Sequence, residues 1–247
     1  MKFGKVPLDA AEGAILAHSL RAGERRFKKG HLLTATDVAR LQDCGIREAI
    51  VAQLESGDVL EDTAAARIAK AAAGENVRVA AAFTGRANLY AAADGLALLD
   101  SECVNSINAV DESITLATLA PFTRVSPRQM LATIKIIPFA APAAAVERAE
   151  GAAARAPIRV AAFRQRKAAL ILTTLPDMRA ALLDKTHEAI ARRIEAIGSK
   201  LVFEQRVPHQ ADSLSRVLVA AATAAELVLV FGASAISDRR DVIPAAI

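Results

Sequence analysis

Aromatic side chains are scarce in this chain, at 4% of its 247 residues, although 53% of the residues are apolar. Its core must then be filled by aliphatic side chains and by alanine-rich helices packed closely together. Cysteine is limited to Cys44 and Cys103, which have no metal-ligand spacing and offer no disulfide framework. The four histidines, His18, His31, His187 and His209, are scattered and form no cluster in the sequence. Long apolar runs are missing too. The longest, Val217 to Phe231, is broken by Glu226 and is too short to span a bilayer. The amino-terminal residues carry no apolar signal core, because Asp9 and Glu12 follow Pro7 at once. These absences predict a soluble, cytoplasmic protein with no membrane partner.

What is present is ordinary in charge. Charged residues make up 23% and the net charge is +4. The densest basic run, Arg21 to Lys29, is interrupted by Glu24 and holds one aromatic, Phe27. It reads as a solvated loop and not as a nucleic-acid surface. An anionic small ligand suits so mild a charge.

The length leaves room for one large domain or for two to three small ones. Residues 1–75 read as a small mixed α+β unit. Within it, Thr36 is placed to cap a short helix that Gly45 closes, and Ile46 to Ala52 reads as a strand. Residues 76–140 are β-rich: Ser113 to Leu119 alternates with period two, and Met130 to Phe139 is a strand broken by Pro138. In this stretch Gly85-Arg86 and Asp111-Glu112 read as turn and surface features. Residues 141–157, rich in alanine and proline, read as a linker containing a short helix.

From about residue 158 strands and helices alternate. Lys167 to Thr173 is a continuous apolar strand of the kind buried on both faces. Asp184 is placed to cap a helix with the stripe Ile190, Ile194 and Ile197, closed by Gly198. A second strand, Lys200 to Arg206, leads to a helix with Leu214, Val217, Leu218 and Ala221, and then to a third strand, Leu227 to Phe231. A β-α-β-α-β order predicts a parallel sheet with right-handed crossovers, whose ligands gather beyond the carboxyl ends of its strands. With strand order two-one-three, the loop beginning Thr173-Thr174 lies beside the loop that follows Phe231. That second loop runs Gly232-Ala233-Ser234-Ala235-Ile236-Ser237-Asp238-Arg239-Arg240-Asp241. Small residues after a buried strand let backbone amides approach an anion, and the charged residues then serve the anion or its metal.

These residues resemble the molybdopterin-binding domain shared by molybdopterin adenylyltransferases and molybdopterin molybdotransferases. Those families end the third strand in a Gly-Gly-Thr-Gly or Gly-Gly-Val-Ser loop followed by an acidic residue. In the adenylyltransferases the segment reads Arg-Asp-Val-Thr-Pro, against Arg240-Asp241-Val242-Ile243-Pro244 here, and an earlier Asp-Lys-Gly stands against Asp184-Lys185-Thr186. Residues 1–75 resemble the molybdotransferases more loosely, through Lys29-Gly30, Val38, Leu41 and Gly45-Ile46. The double glycine has become Gly232-Ala233, and the later glycine Ala235 or Ser237, each lost glycine removing a freely accessible positive φ.

The resemblance implies a C-terminal three-layer, parallel-sheet, Rossmann-like domain over residues 158–247, in a family whose domain continues past Ile247. It implies molybdopterin as ligand or substrate, with Mg²⁺ and ATP as cofactors, in adenylyl transfer or molybdate insertion. Asp241 would be the catalytic and metal-side carboxylate, with Asp184 as its partner. Thr173, Thr174, Gly232, Ser234, Ser237 and Arg240 would hold the pterin phosphate, and relatives assemble as dimers or trimers. Two other readings stay open: a non-catalytic pterin carrier or sensor, and a nucleotide pyrophosphatase-type enzyme on the same fold. Both carboxylates also have a plain structural reading as helix N-caps, with Pro244 in the first turn after Asp241.

Overall fold

The computed structural model describes residues 1–247 as a mixed α/β protein with seven α-helices and seventeen strands. Most of its sheets are small and antiparallel, and no helix is long and apolar enough to cross a membrane. The chain divides into two compact units, residues 1–162 and 163–247.

The first unit opens with β1 (Lys2–Pro7), a 3₁₀ turn at Leu8–Ala10, β2 (Ile15–Leu16), β3 (Leu20–Ala22), β4 (Arg25–Phe27), α1 (Ala35–Asp43) and β5 (Glu48–Gln53). β5 lies between β1 and β2, antiparallel to both, while β3 and β4 form a hairpin. Leu8, Leu16, Phe27, Leu33, Leu41 and Val51 build a core of their own. The cap of α1 is Thr34, not Thr36. Its hydroxyl accepts from the Asp37 amide at 3.2 Å while Asp37 accepts from the Thr34 amide at 3.2 Å, a reciprocal capping box. The three-residue spacing from Thr34 to Asp37 favours that pairing, and Asp37 is buried with His31 Nε2 2.9 Å from its carboxylate.

The unit continues through β6 (Asp58–Leu60), α2 (Glu61–Ala72), β7 (Val77–Val79), β8 (Arg86–Ala91), β9 (Gly95–Leu98), α3 (Ser101–Asn108), β10 (Ile114–Thr118), β11 (Arg124–Val125), β12 (Met130–Ile136), β13 (Ala140–Pro142), α4 (Ala143–Arg155) and β14 (Arg159–Ala162). The strands form one sheet of order β10-β12-β8-β7, a second of order β11-β9-β14, and the pair β13-β6. Residues 141–157, expected as a linker containing a short helix, do hold a helix, α4, but it is part of the core of the first unit and not a linker. Ala145, Val146, Ala149, Ala152 and Ala153 bury one face of it in the same core as Ala64, Ala65, Ile68, Ala69 and Ala72 of α2. Alanine brings two helices close at little side-chain entropy cost, which is how a core poor in rings is filled here. β14 pairs with β9, so residues 159–162 belong to this unit and not to the C-terminal one.

The second unit runs β15 (Lys167–Thr174), α5 (Ala180–Ala196), β16 (Lys200–Pro208), α6 (Ala211–Ala224), β17 (Leu227–Phe231) and α7 (Val242–Ala246). Its three strands are parallel in the order β16-β15-β17, the two-one-three arrangement. Leu170 and Leu172 pack with Leu183 and Ile190 of α5, whereas Ala169 and Ile171 pack with Leu214 of α6 and Ile243 of α7. Every residue from Ala168 to Thr173 is therefore buried, and each large aliphatic among them contributes roughly 1.5–3 kcal/mol. Asp184 does not cap α5. The helix begins a turn earlier, at Ala180, because Ala180 to Leu183 are strong helix formers and Leu183 is drawn into the core.

The Thr34–Asp37 cap carries a prediction. Thr34→Ala is expected to cost about 1 kcal/mol in urea unfolding, and an unchanged midpoint would contradict the capping role. The hydrogen bond from His31, with those from Thr34, holds the Asp37 carboxyl at about 2, below its ordinary 3.8. A folded value below the unfolded one gives stability that is full above about pH 4 and lost as pH falls through about 2. Asp37→Asn should flatten that part of the acid unfolding profile.

Candidate functional site

Parallel strands send their carboxyl ends the same way, so three loops leave one edge of the second unit: 175–179 after β15, 209–210 after β16 and 232–241 after β17. With β15 in the centre, two of these loops meet on Thr173. Its side chain is fully buried, accepts a hydrogen bond from the Ala233 amide at 2.8 Å and lies 2.8 Å from His209 Nδ1. The hydroxyl has one proton and two lone pairs, so it can serve both partners at once. Thr174 is also committed, its hydroxyl to the Val207 carbonyl at 3.2 Å and its own carbonyl to the His209 amide at 2.9 Å. Both threonines thus fasten loops together.

Beside them lies a cavity of about 200 Å³ lined by His209, Ser234, Ile236, Arg240 and Asp241, with Ile243 behind. The amides of Ser234, Ala235 and Ile236 donate to no protein acceptor, whereas those of Ser237 and Asp238 both donate to Asp241 Oδ2, the latter at 2.9 Å. Those two amides, Ser237 first, hold the Asp241 carboxyl below the ordinary carboxylate range, and His209 adds to the effect. Asp241 occupies the N-cap position of α7, and its carbonyl accepts from the Ala245 amide at 2.9 Å, but its side chain makes no cap bond. It folds the loop back on itself instead. Asp238 does the same one step on, accepting from the Arg240 amide at 2.8 Å.

Gly232 is required for packing. A Cβ there would stand 2.6 Å from Ile243 Cδ1 and 2.9 Å from the Ser234 carbonyl oxygen. The space a side chain would fill is taken by α7, which seats the loop against the core.

Of the residues expected at a site, Ser234, Arg240 and Asp241 line the cavity, while Thr173, Thr174 and Gly232 hold its walls. Ser237 is exposed and contributes its amide to Asp241. Asp184 stands elsewhere, exposed on α5 and paired with Arg206 of β16 at 2.6 Å. The two carboxylates are not brought together. His209 is the residue that sequence reading missed: it directly follows Pro208, the last residue of β16, and counting the exits of all three parallel strands would have found it.

No group of three or more His, Cys, Asp and Glu side chains is placed to hold a metal ion. Mg²⁺ ordinarily takes one or two carboxylates and completes its shell with phosphate oxygens and water. Asp241 Oδ1 fits that limited role. Three residues whose amides have no protein acceptor thus share one cavity with Arg240, groups of the kind that take a tetrahedral anion.

Two outcomes follow from this geometry. Asp241→Ala should leave the fold intact by circular dichroism but speed hydrogen exchange at the Ser237 and Asp238 amides; unchanged protection there would show that the carboxylate does not hold the loop. Gly232→Ala should destabilise the unit by about 1–3 kcal/mol through overpacking. Ile243→Val removes the nearest clashing carbon, so the double variant should be more stable than the sum of the single effects. Strict additivity in thermal unfolding would contradict the contact.

A family model described as a domain of unknown function (DUF8806) matches residues 5–53, about a fifth of the chain, which corresponds to the β1–β5 region with its separate core. No curated protein and no solved structure matches the chain.

Proposed function

We propose that residues 163–247 form a molybdopterin-binding unit of the three-layer, Rossmann-like kind, which holds the pterin's phosphate beyond the end of β17. The observation that carries the reading is the set of amides without a protein acceptor at Ser234, Ala235 and Ile236, residues that line one cavity together with Arg240. Its size supports a phosphate subsite. Pockets for whole drug-sized ligands run about 300–1,000 Å³, so a cavity of about 200 Å³ takes the phosphate and leaves the pterin body outside. The parallel two-one-three order and the packing of α5 opposite α6 and α7 support the fold assignment. With this reading go a cytoplasmic setting and self-association as a dimer or trimer.

Within it, Arg240 neutralises phosphate charge, the loop amides orient the phosphate, and Asp241 holds the far end of the loop. Mg²⁺, when bound, would be held by Asp241 and would neutralise charge on the phosphate oxygens. Adenylyl transfer from ATP and molybdate insertion both fit such a subsite. One observation favours the carrier reading over catalysis: Asp184 pairs with Arg206 and adds no second carboxylate to the cavity.

Calorimetric titration with purified molybdopterin under anaerobic conditions tests the proposal, with the dephosphorylated pterin as control. The phosphorylated form should bind at least about tenfold more tightly, and Arg240→Gln should remove about that factor. Equal affinity for the two forms would refute the phosphate subsite. Adenylyl transfer from ATP would establish catalysis, and hydrolysis of ADP-ribose without pterin binding would favour the pyrophosphatase reading.

A further inference from the structure

The first unit contains a larger cavity, of about 500 Å³, in which three cations face one carboxylate. Lys29 comes from the turn after β4, Arg86 from the start of β8 and Lys135 from β12, while Glu61 opens α2. Arg86 and Lys135 are direct cross-strand partners in the antiparallel β8–β12 ladder, so two positive side chains share one face at neighbouring positions. Like charges so placed destabilise a sheet. Glu61 relieves this in part, 3.7 Å from Lys135, and Lys135 Nζ also donates to the Thr84 carbonyl at 2.7 Å. The neighbouring Asp62 gives its carboxylate to the Gly85 amide at 2.6 Å. Arg86 makes no ion pair, and Lys29, whose Nζ lies 5.6 Å from the ring of Phe139, shares Glu61 with Lys135 as a more distant charge.

The turn that presents Arg86 is built at a conformational cost. Phe83 and Arg86 exchange backbone hydrogen bonds of 2.9 and 3.1 Å around Thr84 and Gly85, both of which have positive φ, +48° and +70°. A β-branched threonine in that region is unusual. Gly85 cannot be replaced without a clash, because a Cβ there would lie 2.5 Å from Glu61 Oε2 and 2.8 Å from both Lys135 Nζ and the Ile136 carbonyl oxygen. Asp62, Lys135 and Ile136 grip the turn from three directions, the last through its amide to the Gly85 carbonyl at 2.8 Å. The result is a rigid mount for an unpaired guanidinium. Gly85 lies in a turn and Arg86 is exposed, as expected from the sequence, and Arg86 lines the cavity.

An apolar wall of Ile137, Pro138 and Phe139 closes the cavity beside the cations, with Ile137 59% exposed. We propose that this cavity is a binding site for a phosphorylated small molecule, its phosphate oxygens on Lys29, Arg86 and Lys135 and a flat organic body against Ile137, Pro138 and Phe139. Arg86 supplies bidentate contact, the two ammonium groups supply point charges, and the anion relieves the repulsion between Arg86 and Lys135. A volume of about 500 Å³ admits the whole ligand, in keeping with the usual range for small-molecule sites.

The probes are ADP, inorganic pyrophosphate and adenosine, titrated into the full chain by calorimetry. ADP should bind, pyrophosphate should bind at least tenfold more weakly, and adenosine should show no saturable binding. Arg86→Gln should weaken ADP at least tenfold while leaving the melting temperature unchanged or higher, since it removes a like-charge contact. Arg240→Gln, in the other unit, should leave ADP binding as it was. Failure of ADP to bind at millimolar concentration overturns the site, as does an Arg86→Gln variant with full affinity. Loss of ADP binding in Arg240→Gln assigns the ligand to the second unit and overturns it as well. Pyrophosphate binding as tightly as ADP overturns the role of the apolar wall.

Discussion

The buried hydroxyl of Thr173 joins the two loops that shape the strand-end crevice, and its placement follows from the burial of β15 on both faces. A strand flanked by two parallel neighbours, and covered by α5 on one side and by α6 and α7 on the other, delivers its last residues into protein rather than water. A hydroxyl there must find partners, because an unsatisfied buried polar group costs about 1–3 kcal/mol. Thr173 finds them in the Ala233 amide and the His209 ring, each 2.8 Å away. Hydrophobic burial along the strand thereby fixes polar geometry at its end.

How the 232–241 loop uses its donors decides what it can bind. Five consecutive residues after Ala233 have amides; Asp241 takes two of them, and the other three belong to residues that line the cavity. A carboxylate spent in this way organises a site; it does not need to act on the ligand. Gly232 has a similar standing, since Ile243 occupies the space beside it and the loop's path is set by α7 packing. Beyond Gly232 the loop runs through alanine and serine with no positive φ, so its path needs no further glycine.

Periodicity made the second unit legible in the sequence. A run of consecutive apolar residues at Lys167–Thr173, helices with stripes at Ile190–Ile194 and Leu214–Ala221, and a third apolar run at Leu227–Phe231 leave little choice but a parallel β-α-β-α-β order. The failures came where a local signal competes with a tertiary one. Thr36 and Asp184 are both good cap residues, yet Thr34 won through its reciprocal bond with Asp37, and α5 was extended upstream by the burial of Leu183. The alanine- and proline-rich 141–157 segment looked like a linker because alanine gives no clear apolar face until its partner helix, α2, is known. His209 was within reach of the strand pattern, since it directly follows the end of β16. The Lys29–Arg86–Lys135 cluster was not, because it depends on residues brought together from distant parts of the chain, and no spacing in the sequence encodes that.

We propose that a phosphate binds on the free amides beyond β17. The most direct measurement is a ¹H–¹⁵N correlation spectrum of the full chain during titration with molybdopterin. Phosphate binding there should give saturable shifts centred on the Ser234, Ala235 and Ile236 amides, with smaller ones at His209 and Arg240. Binding that leaves these amides unmoved, or that shifts Ser237 and Asp238 alone, would contradict it.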